Sequence, residues 1–210
     1  MRGLFRRYGG VLILAGVVVG SSVWASLLGD ARHLRLVQRL GFDFDALQRF
    51  HIWVIPLSPF IQADNGLTLR FMLLMLLTVS ALLLLARHAG QRWTFGVFFG
   101  AHVVSAFLTV AALALLAEAG STESEDLLHV PDTGVSAATY GTLAAAFMLL
   151  GGRMRLVAAG ALVCWLGFGF FYYRLDVAIA HAIAALTGAT AALTIPRIRR
   201  LHPASGSLAG

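Results

Sequence analysis

The chain has 210 residues, 59% of them hydrophobic and 12% charged, with a mean hydropathy of +0.81 and a formal net charge of +6. A soluble domain carries about twice that charged fraction, so the composition excludes an ordinary water-soluble globule and points to a membrane protein. The sixteen cations are all Arg and are dispersed, with no basic stripe interleaved with aromatics, which excludes nucleic acid as a partner.

A bilayer core of about 30 Å takes about 20 apolar residues in helical form, and helices satisfy their own backbone in lipid. Six apolar blocks meet this requirement: 8–28, 67–86, 93–117, 134–150, 156–173 and 177–195. They predict an all-α polytopic bundle of one membrane domain, 1–195, followed by a basic tail, 196–210, without fixed structure. The first block follows Arg2, Arg6 and Arg7 and has a cleavage-like Val23-Trp24-Ala25, yet its length favours a retained anchor over a signal peptide.

Between the first two blocks lies a long loop, 29–66. Residues 31–40 place Leu34, Val37 and Leu40 on one helical face and Arg32, Arg35 and Arg39 elsewhere, the pattern of an interfacial helix. The aromatic and Pro-containing stretch 42–60 is expected to return to the membrane surface without crossing. The acidic segment 120–131 reads as a solvated loop.

Arg also clusters at 87 and 92, at 153 and 155, and at 197, 199 and 200, whereas all ten carboxylates fall on the alternate connections or span ends. The positive-inside rule then puts both termini in the cytoplasm. Arg composition and Ala richness suggest a bacterial inner (plasma) membrane. Cys164, the only cysteine, lies within the fifth block and is assigned to packing. The seven His show no ligand-like spacing, so neither a metal nor a cofactor is expected.

Ionisable or nucleophilic groups at membrane depth are costly and become candidates for function. Arg70 lies near the outer end of its block and can snorkel. His102, beside Gly100 and Ser105, fits a helix–helix hydrogen bond across a small-residue interface. Ser136 and His181 stand out because both lie roughly 6–8 Å below the outer end of blocks that run the same way. Ser136 also opens its helix, where free N–H groups and the helix dipole favour an oxyanion. A serine nucleophile with a histidine base accounts for the pair. Small residues at a helix start and one inward-facing His account for it equally well.

The run Gly134-Val135-Ser136-Ala137-Ala138-Thr139-Tyr140-Gly141 resembles the serine motif of rhomboid intramembrane proteases, and Ala180-His181 through Gly188 resembles their histidine helix. Asp132-Thr133-Gly134-Val135-Ser136, Gly90-Gln91-Arg92 and Gly100-Ala101-His102 are similar to motifs of a divergent bacterial rhomboid-like group. The resemblance implies a six-span fold and a Ser136–His181 dyad that cleaves transmembrane segments of membrane proteins without a cofactor. It further implies that Gly134 and the backbone N–H of Ser136 serve the oxyanion, that Tyr140 packs on the histidine, and that Gly141 and Gly188 allow close helix contact. The family's His and Asn at the start of the second span have no counterpart, and Arg70 is the strong donor nearby. Ala137 and Ala184 replace family glycines. An inactive relative that binds or chaperones membrane helices is the alternative implied. A small transporter would show broken helices or repeats, and neither is present in the sequence.

Overall fold

The computed structural model describes the backbone over residues 2–62 and 67–201, with side chains over 7–62 and 67–195. It is helical throughout, in the order α1 (Arg2–Ser26), α2 (Asp30–Leu40), α3 (Phe44–Gln48), short 3-10 turns at Ile52–Val54 and Ser58–Phe60, α4 (Leu69–Ala89), α5 (Gln91–Glu118), α6 (Thr122–Leu128), α7 (Ser136–Met148), α8 (Gly152–Tyr172) and α9 (Leu175–Leu201). Among the described residues, five helices are long and apolar enough to cross a membrane: α1, α4, α5, α8 and α9.

The fourth predicted block, 134–150, forms a helix of only 13 residues, α7, about 20 Å long. Gly134 and Val135 stay outside it, because Gly134 takes a φ of +121° that a right-handed helix does not accommodate. Its residues 137–142 are buried, since α4, α5, α8 and α9 surround it. A short helix is tolerable at that depth because protein rather than lipid surrounds its buried stretch.

Small side chains create the centre of this arrangement. Ala101 of α5, Ala137 of α7 and Ala184 of α9 form one buried cluster. A Cβ on Gly141 would collide with Ala101 Cβ and would lie 2.9 Å from the Ala184 carbonyl oxygen, and a Cβ on Gly188 would collide with the backbone of Gly141. Close backbone approach of this kind maximises dispersion contact where lipid supplies no hydrophobic driving force. The α4–α7 contact adds a polar link, with the hydroxyls of Thr78 and Thr139 2.7 Å apart. Both also lie within reach of their own i−4 carbonyls, Leu74 and Val135. Two protons serve three contacts, so one hydroxyl donates to its carbonyl and the other to its partner.

Three sequence expectations change. The segment 120–131 contains α6, capped by Ser121, whose Oγ accepts from the Ser124 N–H, with Glu123 and Glu125 in its first turn. Ser124 and Leu128 are buried, and Leu127 and Leu128 pack beside Phe42 and Leu113. On α2, His33 and Val37 are the buried residues, while Leu34 is 56% exposed and points away from the core. Helix α9 continues past Ile195 to Leu201, since one missing proline N–H does not by itself end a membrane-protein helix. Residues 202–210 of the expected tail lie outside the described residues.

Gly188→Ala is expected to destabilise the folded protein by roughly 1–3 kcal/mol, because the methyl group meets backbone that cannot rotate away. Gly160→Ala, on α8 with open space around it, is expected to change stability by less than about 0.5 kcal/mol. Thermal unfolding of the two purified variants checks the contrast.

Candidate functional site

Ser136 is the first residue of α7, and the helix makes its first hydrogen bond from the Thr139 N–H to the Val135 carbonyl. The N–H groups of Ser136, Ala137 and Ala138 therefore have no intrahelical partner and carry the positive end of the helix dipole. Ser136 itself is partly exposed. The chain reaches it through a turn held from the first loop. The Gly134 N–H donates to the Ser58 carbonyl at 3.0 Å, and Gln62 Oε1 occupies the place of a Gly134 side chain, 2.9 Å from where a Cβ would stand. Gly134 is thus required twice, by its positive φ and by this close approach.

His102 of α5 buttresses the same loop. Its Nε2 lies 2.7 Å from Ser58 Oγ, and that hydroxyl is 3.1 Å from the Ile55 carbonyl oxygen. Ser58 has one proton, so the arrangement that satisfies most groups has Ser58 donating to Ile55 and His102 Nε2–H donating to Ser58. His102 Nδ1 is then a lone acceptor, buried without a protein partner. The helix–helix bond expected for His102 is instead a helix–loop bond, a pairing that sequence spacing does not reveal. Gln62 Nε2 also donates to Ser22 Oγ at 3.4 Å, tying the loop to α1.

His181 lies on α9, 5% exposed, between two tyrosines. The Tyr140 ring stacks on the imidazole, with centroids 4.1 Å apart and planes 27° from parallel. Tyr173, at the end of α8, meets it edge-on at 5.7 Å. Trp165 Nε1 donates to the Tyr140 hydroxyl, which locks that ring against α8. The Arg70 guanidinium, at the N-terminal end of α4, lies 5.5 Å over the Tyr173 ring. A narrow crevice between α7, α8 and α9 is lined by Tyr140, Trp165, Leu166, Gly169, Tyr173 and His181.

The structure therefore brings Tyr140 onto His181, and the next residue, Gly141, onto Gly188, about two turns after His181 along α9. It does not join Ser136 to His181 by a hydrogen bond, and His181 Nε2 is buried with no protein partner. Arg70 reaches the site over the ring of Tyr173. Sequence reasoning missed Ser58, Gln62, Trp165 and Tyr173. The first two sit in a loop without periodicity, and aromatics near a span end are ordinary interface residues with no separate signal.

No family model, no curated protein and no solved structure matches the chain.

His102→Leu removes the donor to Ser58 and leaves the loop without that anchor. The variant is expected to lose roughly 1–3 kcal/mol of stability and to become more sensitive to proteolysis within 50–62. Limited proteolysis with mapping of the cut sites measures this, and Ser58→Ala should reproduce the effect without adding to it in the double variant.

Proposed function

We propose that the chain is a rhomboid-like intramembrane serine protease of a bacterial inner membrane, with six spans and both termini cytoplasmic. Its substrates are membrane proteins with transmembrane helices, and its nucleophile and base are Ser136 and His181. The observation that carries this reading is the imidazole of His181. It is stacked on Tyr140, one turn below Ser136, and its buried Nε2 has no protein partner. A buried imidazole nitrogen left unmade costs free energy, and active sites are where such groups persist.

In this mechanism Ser136 Oγ attacks a peptide carbonyl, and Nε2 of His181 takes the hydroxyl proton. The oxyanion is met by the unpaired N–H groups at the start of α7. The protonated imidazole then delivers its proton to the leaving amine, and water attacks the acyl-serine with His181 again as base. Stacking on Tyr140 restricts rotation of the ring, and Trp165 holds Tyr140 in turn. The dyad forms when Oγ comes within about 2.6–3.2 Å of Nε2, a distance often longer in unliganded enzymes.

A second reading is favoured by one specific observation. No hydrogen bond links Ser136 to His181, and no His or Asn stands at the start of α4 to support an oxyanion. Loss of a single such donor costs about 10²–10³ in rate. An inactive rhomboid-like protein that binds or chaperones membrane helices has the same scaffold with an idle serine.

Labelling of the detergent-purified protein by a fluorophosphonate separates the two readings. The protease reading expects labelling of the wild type that disappears in Ser136→Ala and in His181→Ala. A folded wild type that resists both this probe and a small isocoumarin refutes it in favour of the binding role. Under the protease reading, Tyr140→Phe keeps the stack and most of the labelling rate. Tyr140→Ala frees the imidazole and lowers the rate by roughly tenfold or more.

A further inference from the structure

A second polar site lies at the outer end of the bundle, away from the imidazole. The backbone of Asp132 pairs with Phe42 through two hydrogen bonds of 2.9 and 3.0 Å, which fastens the segment entering α7 to the first loop. Asp132 and Asp176, the latter in the first turn of α9, line one cavity of about 20 Å3, room for a single water. Thr109 of α5 lines the same cavity, and its Oγ1 is buried without a hydrogen-bond partner. Asp176 is 8% exposed and makes a two-point ion pair with Arg174, at 2.6 and 3.2 Å.

The other charged groups nearby are already engaged. Asp43 lines the cavity, but its Oδ1 accepts the Ala46 N–H at 2.7 Å. Asp45 is paired with His129 at 3.2 Å and with Arg49 at 3.7 Å. Helices α5 and α6 present only Ala106, Thr109, Val110, Leu113, Leu127 and Leu128 to the cavity. The carboxylates of Asp132, Asp176 and Asp43 with the one guanidinium of Arg174 leave a net charge of −2 around the cavity, and one proton on Asp132 lowers it to −1.

We propose that this cavity is a one-proton site at which Asp132 takes up a proton beside the Asp176–Arg174 pair, drawing the segment that leads into Ser136 toward the start of the helix that carries His181. Without the proton, Asp132 and Asp176 repel each other across the cavity, and the two segments are pushed apart. The site stands independently of whether Ser136 is a nucleophile. If it is, the pH on the side facing α6 and the first loop regulates how closely serine and histidine approach.

Burial first, and then the neighbouring Asp176, push the Asp132 carboxyl up to about 6, with Arg174 opposing. A folded-state value above the unfolded one stabilises the fold fully below about pH 4, and this contribution is lost as pH rises through 6.

Thermal unfolding of the full chain in detergent, from pH 4 to 7.5, tests the proposal with wild type, Asp132→Asn and the exposed control Asp126→Asn. Asp132→Asn is expected to match the wild type at pH 4 and to exceed its midpoint by roughly 5 °C at pH 7.5, with Asp126→Asn following the wild type. A pH-independent difference between wild type and Asp132→Asn overturns the proposal, as does Asp126→Asn behaving like Asp132→Asn. Stabilisation of the wild type at pH 7.5 by sodium over potassium at equal ionic strength, absent in Asp132→Asn, also overturns it, in favour of a metal-cation site. Infrared titration of the wild type keeps the test open if Asp132→Asn does not fold. A carboxylic C=O band that disappears near pH 6 is expected, and its absence refutes the site. Loss of fluorophosphonate labelling without any change in these titrations sinks the protease and leaves the proton site in place.

Discussion

The backbone contact between α7 and α9 is the constraint on which the remaining structure depends. In lipid, apolar side chains gain little by leaving a solvent as apolar as themselves, so helices associate through close packing and polar contacts. Gly141 and Gly188 let two backbones touch, and Ala101, Ala137 and Ala184 continue the same seam to α5. That seam sets how far α7 stands from α9, and so decides that Tyr140, one residue before Gly141, falls against His181. A single added methyl group at the crossing would move serine and histidine relative to each other before it touched either.

The short length of α7 follows from the same packing. A helix of 13 residues cannot meet a bilayer alone, and its two ends expose backbone groups that hydrocarbon does not satisfy. At the N-terminal end the first loop supplies what lipid cannot. Ser58 accepts from Gly134, His102 holds Ser58, and Gln62 links the loop to Ser22 of α1. These polar contacts are few and nearly all buried, so each is expensive to break. They also explain why a loop of irregular backbone persists beside a helix start, since its carbonyls are paired with protein. The outcome is a helix N-terminus that is held in place yet still has unpaired N–H groups, as an anion-stabilising site requires.

The chemistry at that terminus is supported unevenly. The imidazole is held on two sides by aromatic rings, and one of those rings is itself fixed by Trp165. The serine side is looser: Ser136 is partly exposed and its hydroxyl is not joined to the base. A held imidazole beside a partly exposed hydroxyl suits the proposed protease, completed by a bound chain, and it also suits a scaffold that only holds one. Arg70, over the ring of Tyr173, adds positive charge at the rim.

Much of the fold was legible in the residues, because membrane length and apolarity act locally along the chain. The blocks 8–28, 67–86, 93–117, 156–173 and 177–195 correspond to α1, α4, α5, α8 and α9, with ends displaced by a few residues. The stacking of Tyr140 on His181 and the glycine contact were also anticipated, through the motif the chain resembles. The charges of segment 120–131 favour a solvated loop, but Ser121 followed by Glu123, with Leu127 and Leu128 one turn on, is a helix start with a buried face. Residues separated by tens of positions left no local trace. The Ser58–His102 bond, the bond from Trp165 to Tyr140 and the cavity shared by Asp132 and Asp176 arise only when distant segments meet. The sequence by itself determined that the chain is helical and apolar at membrane length, since those properties depend on each stretch and its solvent. Only the tertiary structure decided which polar groups pair and which stay unpaired, because hydrogen bonds are short-ranged and depend on where the whole chain places both partners.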